Sequence, residues 1–381
     1  MLSLPASANI LSVQVAPAMT GDAIKPALLV TTADRRLHAL DATTRDLLTS
    51  LPSLHDSPIL STAVFRDRYL LSASMSGQLI VSDLQGLIME KRRDHSKYVI
   101  KIAVFNEDDG DALIATAGWD MKVIVYRPLI SGGKFMLGVP IASIILQTKP
   151  EAMLFLKHPK ANKPVLLLSR TDSNHLHFYA MPAESEDCRM LGRQNLAPHS
   201  NAWVAFTPSA LAISPKDPLL LAVGTSSVPH MKLLLVRLLV PPYDQVASEN
   251  HTASLPLRQS LLDDRNPGAE TQASQARREL AIADREAAAI QIHCNTMAPQ
   301  TAYSTPDVAW RPGGSGIWVN GDDGAVRGVQ ATTGKVVSTL QGHEEGTKVR
   351  CLWAGEVDGQ EMLVSGGFDQ RLILWTADDT P

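Results

Sequence analysis

A chain of 381 residues that is 45% hydrophobic and 19% charged has material for a large buried core. Its net charge of −4 lacks the basic excess of a general nucleic-acid binder. Cys188, Cys294 and Cys351 lie far apart, with no CxxC pair and no Cys/His pair at zinc spacing, so packed thiols in a reducing compartment are expected, without metal or cofactor.

The first residues, MLSLPASANILSVQV, carry no basic residue ahead of their apolar part, so a secretory signal is not expected. The most apolar run, MKLLLVRLLV from Met231, is too short to span a bilayer and contains Lys232 and Arg237. From Ile10 the chain alternates as strands do. ILSVQVAP and ALLVTTADRRLHALD give a first unit with Asp34 in a tight turn. A second unit runs from Pro58 and contains YLLSASMSGQLIVSD, with His55, Ser72 and Ser76 at notable positions. The third follows His95 and reads YVIKIAVF, then ALIATAGWDMKVIVY. The fourth, Glu151 to Met181, has Ser169 and Tyr179 in the same register, and the fifth begins near Trp203.

Here the pattern breaks. Pro241-Pro242 stops a strand, and the polar stretch that follows has no apolar period. Glu270 to Ala289 is rich in helix formers, with a thin stripe of Ala276, Leu280, Ala283 and Ala287. IQIHCNTM, from Ile290, alternates again. Residues 243–289 are therefore expected to be an insertion, part disordered and part helical, between two strands of the fifth unit.

The last two units, from Thr305 and from Lys348, are the clearest. Each has two apolar runs, a tight turn carrying Asp, and an alternating run. Such small sheets must stack on copies of one another to bury both faces. The sequence thus resembles WD-repeat β-propellers: Gly342-His343 and Trp375 match the ends of the repeat pattern, although Thr376 stands where Asp is usual. The resemblance implies an all-β fold of seven blades, beginning near Ile10, Pro58, Tyr98, Glu151, Trp203, Thr305 and Lys348. It also implies closure of the ring by an N-terminal strand, for which Leu2 to Pro5 are the candidates. A buried hydrogen-bond chain of His343, Ser365, Asp369 and Trp375 is implied in the last blade. In the third blade the matching residues are His95, Thr116, Asp120 and Tyr126, where Tyr can pack and donate as Trp does.

That chain explains the Ser/His/Asp set without catalysis, and no nucleophile elbow, P-loop or HExxH occurs. Asp322-Asp323 and Asp108-Asp109 read as turns rather than metal sites. His175 and His177 face one side of a strand but lack a third ligand nearby. Lys91-Arg92-Arg93 is flanked by acids and reads as a solvated loop. In the resembled family the residue before the turn Asp lies on the top face. Here that position holds Trp119 and Phe368, with Met75 in the second blade, and large apolar groups on a tight turn suit protein anchoring. Tyr98, Lys348 and Arg350, at the starts of inner strands, complete the candidate binding face.

The expected function is a non-catalytic protein-interaction scaffold or adaptor, monomeric within a larger complex in the cytoplasm or nucleus, without membrane or nucleic-acid binding. A substrate receptor of a cullin-type ubiquitin ligase is an alternative, lowered by the lack of a Trp-Asp-x-Arg tetrapeptide. An RNA-associated subunit in ribosome or tRNA maturation is another, which a clustered basic face would favour. An enzyme would need a convergent polar pocket with perturbed carboxylates in the central channel.

Overall fold

The computed structural model describes residues 1–20, 23–51, 54–107, 112–131, 134–182, 188–202, 204–243 and 272–376. Seven four-stranded antiparallel sheets follow one another along it. In each, the burial of short apolar runs decides the strands. Tyr69–Ser74, Ala112–Gly118 and Gly316–Asn320 are buried on both faces, as the second strand of a sheet packed between two neighbours must be. The outermost strands, such as Val336–Gln341, alternate between an exposed face and a half-buried or buried one.

Neighbouring blades share their cores. Phe65, Tyr69 and Leu71 of the second blade pack with Ile114, Tyr126 and Phe135 of the third. Leu167 and Phe178 of the fourth pack with Val223 and Leu234 of the fifth. Polar contacts reinforce these seams. The Trp310 indole N–H donates to the Ala212 carbonyl at 2.9 Å, and Arg311 makes a two-pronged pair with Glu361 at 2.7 Å in each arm. The Thr43 hydroxyl donates to Asp358, joining blade one to blade seven.

The ring closes as the sequence leads one to expect. Leu2–Pro5 is the outer strand of the last sheet, with Leu2 opposite Leu374 and Pro5 opposite Arg371. Leu4 packs beside Ile10, Leu372 and Leu374, so closure is apolar as well as hydrogen-bonded. The strand Arg371–Thr376 is thereby paired on both sides, by Leu2–Pro5 and by Gln360–Gly367. The molecule is a seven-bladed β-propeller.

Two blades carry additions. In blade three, Leu129–Ser131 and Lys134–Met136 form a hairpin between the third strand and the outer strand Pro140–Ile145. Phe135 and Leu137 plug it into the seam with blade two, where the Leu137 N–H donates to Glu90 at 2.7 Å. In blade five, the helix Gln272–Ala289 leads straight into the outer strand Ile290–Pro299, which pairs with His230–Arg237. The expected stripe is not what holds this helix. Ala276 and Leu280 are exposed, and the anchor is the last turn, where Ala289 is buried and Glu286 accepts the Asn195 N–H at 2.8 Å. Residues 244–271 of the expected insertion lie outside the described residues, as do Asp108, Asp109 and Trp203, whereas its first residue, Tyr243, is buried and its hydroxyl donates to the Met181 carbonyl at 3.2 Å. Blade five's described inner strand is Pro208–Ile213.

No helix among the described residues is long and apolar enough to cross a membrane. None of the three cysteines is in a disulfide; Cys351 is buried and Cys188 and Cys294 are half-buried.

Candidate functional site: the rim of tight turns

One backbone bond defines the rim. The residue before the turn Asp donates its N–H to the residue that starts the blade's inner strand: Met75 to Pro58 at 3.0 Å, Trp119 to Tyr98 at 2.8 Å, Phe368 to Lys348 at 2.9 Å. Ala33, Thr171 and Ser226 make the same bond in blades one, four and five. In blade six Asp322 holds the position but donates instead to Pro299. Hence Trp119, Phe368 and Met75 do stand at equivalent points of one ring of turns.

The turns are held by chemistry beneath them. His343 Nδ1 lies 2.9 Å from Asp369, its Nε2 lies 2.8 Å from the Ser365 hydroxyl, and the Trp375 indole donates to that hydroxyl at 3.0 Å. Asp369 also accepts the Glu344 N–H at 3.0 Å and the Arg371 N–H at 3.3 Å, so its carboxylate closes the turn around itself. The next residue, Gln370, sits at φ 61°, as Met121 does at φ 62° after Asp120. Non-glycine residues there cost about 1–2 kcal/mol, so these turns persist only because Asp over-determines them. Gly118 and Gly367 are needed for close approach: a Cβ on Gly367 would stand 2.6 Å from the His343 ring and 2.4 Å from Asp369. Burial pushes His343 below its usual imidazole range, although Asp369 pulls the other way.

Blade three repeats most of this chain. His95 lies 2.9 Å from Asp120 and 2.9 Å from Thr116. Tyr126 departs from the expected part, because its longer phenol reaches past Thr116 and donates to Asp94 at 2.8 Å. In blade four Ser169 is not in register with Ser365. Leu168 pairs with Met153 as Ser365 pairs with Leu352, and Ser169 instead accepts the Ala152 N–H at 3.1 Å. Blade two stops at His55 and Ser72, 2.8 Å apart, and burial lowers His55 to about 4. Blade six has no such chain: Asp323 pairs with Arg327, and Asn320 bonds to the backbone of Thr305, Asp307 and Val349.

Above this frame the candidate residues differ in setting. Trp119 is half-buried. Its ring stacks on Tyr98 with centroids 5.0 Å apart and planes 21° from parallel. Lys149, which starts blade four's inner strand, lies over the Trp119 ring at 4.5 Å. The sequence did not single out Lys149, but its place matches that of Lys348. Phe368 is 38% exposed and Tyr98 37%. Met75 is half-buried. Lys348 is taken up by Asp322 at 3.2 Å and Thr301 at 3.1 Å. Arg350 is half-buried on the innermost strand of blade seven, within the bulge between Val349 and Cys351.

The inner strands also hold carboxylates that sequence reading missed. Burial holds Glu151 up at about 7, with Lys149 opposing and Asp172 adding. Burial also raises Asp307, against Lys101, the Leu352 N–H and Arg350. The neighbours of Asp307 come from other blades, so nothing in the local sequence marks it, whereas Lys149 and Asp172 belong to the same blade as Glu151.

The remaining candidates are occupied internally. His177 accepts from Arg170 at 3.4 Å, and burial lowers His175 to about 4 and His177 to about 3. Among the described residues no group of three or more His, Cys, Asp or Glu is placed to hold a metal. Within the basic run, Arg92 pairs with Asp94 at 2.8 Å and Arg93 donates to the Ser76 carbonyl at 2.9 Å.

Residues 22–376 match the family model described as UCP007778, beta-propeller domain. No curated protein matches the chain. With nearly its whole length matched and the seven blades in place, the chain belongs to this beta-propeller-domain family.

Proposed function

We propose that this propeller is of the WD-repeat type and acts as a non-catalytic scaffold or adaptor, binding other proteins on the rim of tight turns. β-Propellers commonly mediate protein interactions. The observation that carries the finer reading is the stack of Tyr98, Trp119 and Lys149 on top of a turn that is fixed from below. Such a turn gives these rings little core to support. Half-exposed aromatics on a rigid frame lose little entropy on binding, which is the property of an interface anchor. Phe368 offers a second anchor at the equivalent point of blade seven. The WD-repeat reading is supported by the His343–Ser365–Trp375 chain with its Asp369. We place its work in the cytoplasm or nucleus, as one copy within a larger complex.

Catalysis through Asp307 is disfavoured by how that carboxylate is used. Both oxygens of Asp307 accept backbone N–H groups, from Leu352 at 2.7 Å and Val308 at 3.0 Å. A carboxylate so engaged has little freedom to exchange a proton with substrate.

The test is the double change Trp119→Ala with Phe368→Ala, followed by affinity purification and mass spectrometry of what co-purifies. Anchors of this kind are worth about 2 kcal/mol or more each, so specific partners should be lost while the melting temperature stays nearly unchanged. A folded variant that retains every partner would refute the reading. A variant that unfolds would show the rings to be packing elements.

A further inference from the structure

The apolar seam between blades three and four ends in a cluster of cations. Leu168 and Tyr179 of blade four pack with Ala142, Ile144 and Leu146 of blade three. Side chains two apart on a strand share a face. Arg170, two beyond Leu168, and His177 and His175, two and four before Tyr179, therefore continue that face toward the rim turn at Thr171. Arg193, on the outer strand Arg189–Asn195, stands directly opposite His177.

Direct contacts gather these residues. The Arg170 guanidinium donates to His177 at 3.4 Å, to the Thr148 hydroxyl at 3.0 Å and to the Gln147 side-chain carbonyl at 3.2 Å. The His175 and His177 rings lie 6.3 Å apart, and burial keeps both imidazoles neutral. Every partner of Arg170 is thus uncharged. Arg193 is exposed and makes no hydrogen bond or ion pair among the described residues, and the His175 ring makes no hydrogen bond among them. Nearby carboxylates do not take up either cation. Asp172, in the turn after Arg170, has no ion pair among the described residues, and Glu286 accepts the Asn195 N–H at 2.8 Å. Two guanidinium groups therefore share one face without an anion. They leave free all the N–H groups of Arg193 and the remaining ones of Arg170, with one more from His175.

The geometry points to a phosphate site on this seam, in which Arg170, Arg193 and His175 bind the phosphate of a phosphorylated peptide segment. This rests on the reading of the rim as a protein-binding surface. So many convergent donors exceed what a carboxylate can accept, whereas a phosphate monoester brings three acceptor oxygens and nearly twice the charge. The occupant is a peptide because the cations run into the aromatic stack. Gln147 and Thr148, which hold Arg170, lead directly into Lys149, whose ammonium lies 4.5 Å from the Trp119 ring centre. A segment with an apolar side chain on Trp119 can thus reach Arg170 with its phosphorylated one. Phosphorylation of the partner then admits it to the rim.

The probe is an immobilised peptide pool with one fixed phosphoserine and neutral residues degenerate elsewhere, beside pools with serine or glutamate at the fixed position. Wild type should be retained on the phosphoserine pool, and about tenfold less on either control. Arg193→Gln should lower that retention about tenfold without moving the melting temperature, since Arg193 holds nothing in the fold. Arg170→Gln should lower it as much; if that variant melts early, Arg193→Gln and His175→Gln decide. Lys335→Gln, exposed before the outer strand of blade six, should change nothing. No retention on the phosphoserine pool, equal retention on the glutamate pool, or full retention of Arg193→Gln overturns the site. Displacement by inorganic phosphate at the peptide's own concentration would assign the site to a small anion and overturn the peptide reading. So would binding to phosphatidylcholine vesicles carrying a phosphoinositide, if Arg193→Gln abolishes it, with a lipid headgroup as the occupant. Partner capture lost in the Trp119/Phe368 variant, with no retention of wild type on the phosphoserine pool, overturns this inference alone. Retention that Arg193→Gln abolishes, with capture intact in the rim variant, supports the phosphate site and overturns the reading of the rim.

Discussion

Replacing Asp369 with alanine should destabilise the propeller by about 1–3 kcal/mol, because the His343 ring nitrogen it serves is left buried and unmet. The side chains of His343 and Asp369 are both fully buried. Three donors would lose their acceptor at once: His343 Nδ1 and the N–H groups of Glu344 and Arg371. Gln370 would in addition be left at φ 61° without the carboxylate that holds it there. Asp323→Ala is the internal comparison. Its partner is Arg327, and Asp323 is 31% exposed, so water can replace most of what is lost. Thermal unfolding of the two variants beside wild type checks the ranking. If Asp369→Ala melts like wild type, or Asp323→Ala melts lower than Asp369→Ala, the buried chain is not what steadies the rim.

Deleting residues 2–5 should cost more. The segment supplies the outer strand of the last blade along Arg371–Thr376, and Ala6 continues the pairing to Gln370 at 2.7 Å. Lost backbone bonds at about 1 kcal/mol net apiece, with the partly buried Leu4 at about 1–2 kcal/mol, sum to roughly 3–6 kcal/mol. The freed edge would also offer unpaired backbone groups to a second chain. Urea unfolding and size-exclusion chromatography should show lower stability and self-association. A truncated chain with wild-type stability that stays monomeric would contradict the closure described above.

Much of this was legible in the sequence, for a reason that lies in the fold. A blade is local: its strands are consecutive, so Ser365, Asp369 and Trp375 can be placed by counting from one another. That succeeds where the pattern is strong. It slips at Ser169, because the turn residue matching Phe368 is Thr171, and the residue three before it, matching Ser365, is Leu168. It also misjudges Tyr126, since residue type gives a donor but not its reach. The helix Gln272–Ala289 was legible from composition, but its anchor, Glu286 on Asn195, joins two blades and leaves no spacing to read. The same holds for Lys149 over Trp119. Whatever depends on the angle between blades is silent in the chain, and the candidate site consists largely of such contacts.

The rim as the partner-binding surface is the central claim. Hydrogen exchange of the chain, alone and with a co-purified partner bound, tests it most directly. Binding should slow exchange in peptides spanning residues 117–122 and 366–371, the turns that carry Trp119 and Phe368, and leave the hairpin at 129–136 unchanged. Slowing confined to that hairpin or to the helix Gln272–Ala289, with both turns unaffected, would contradict it.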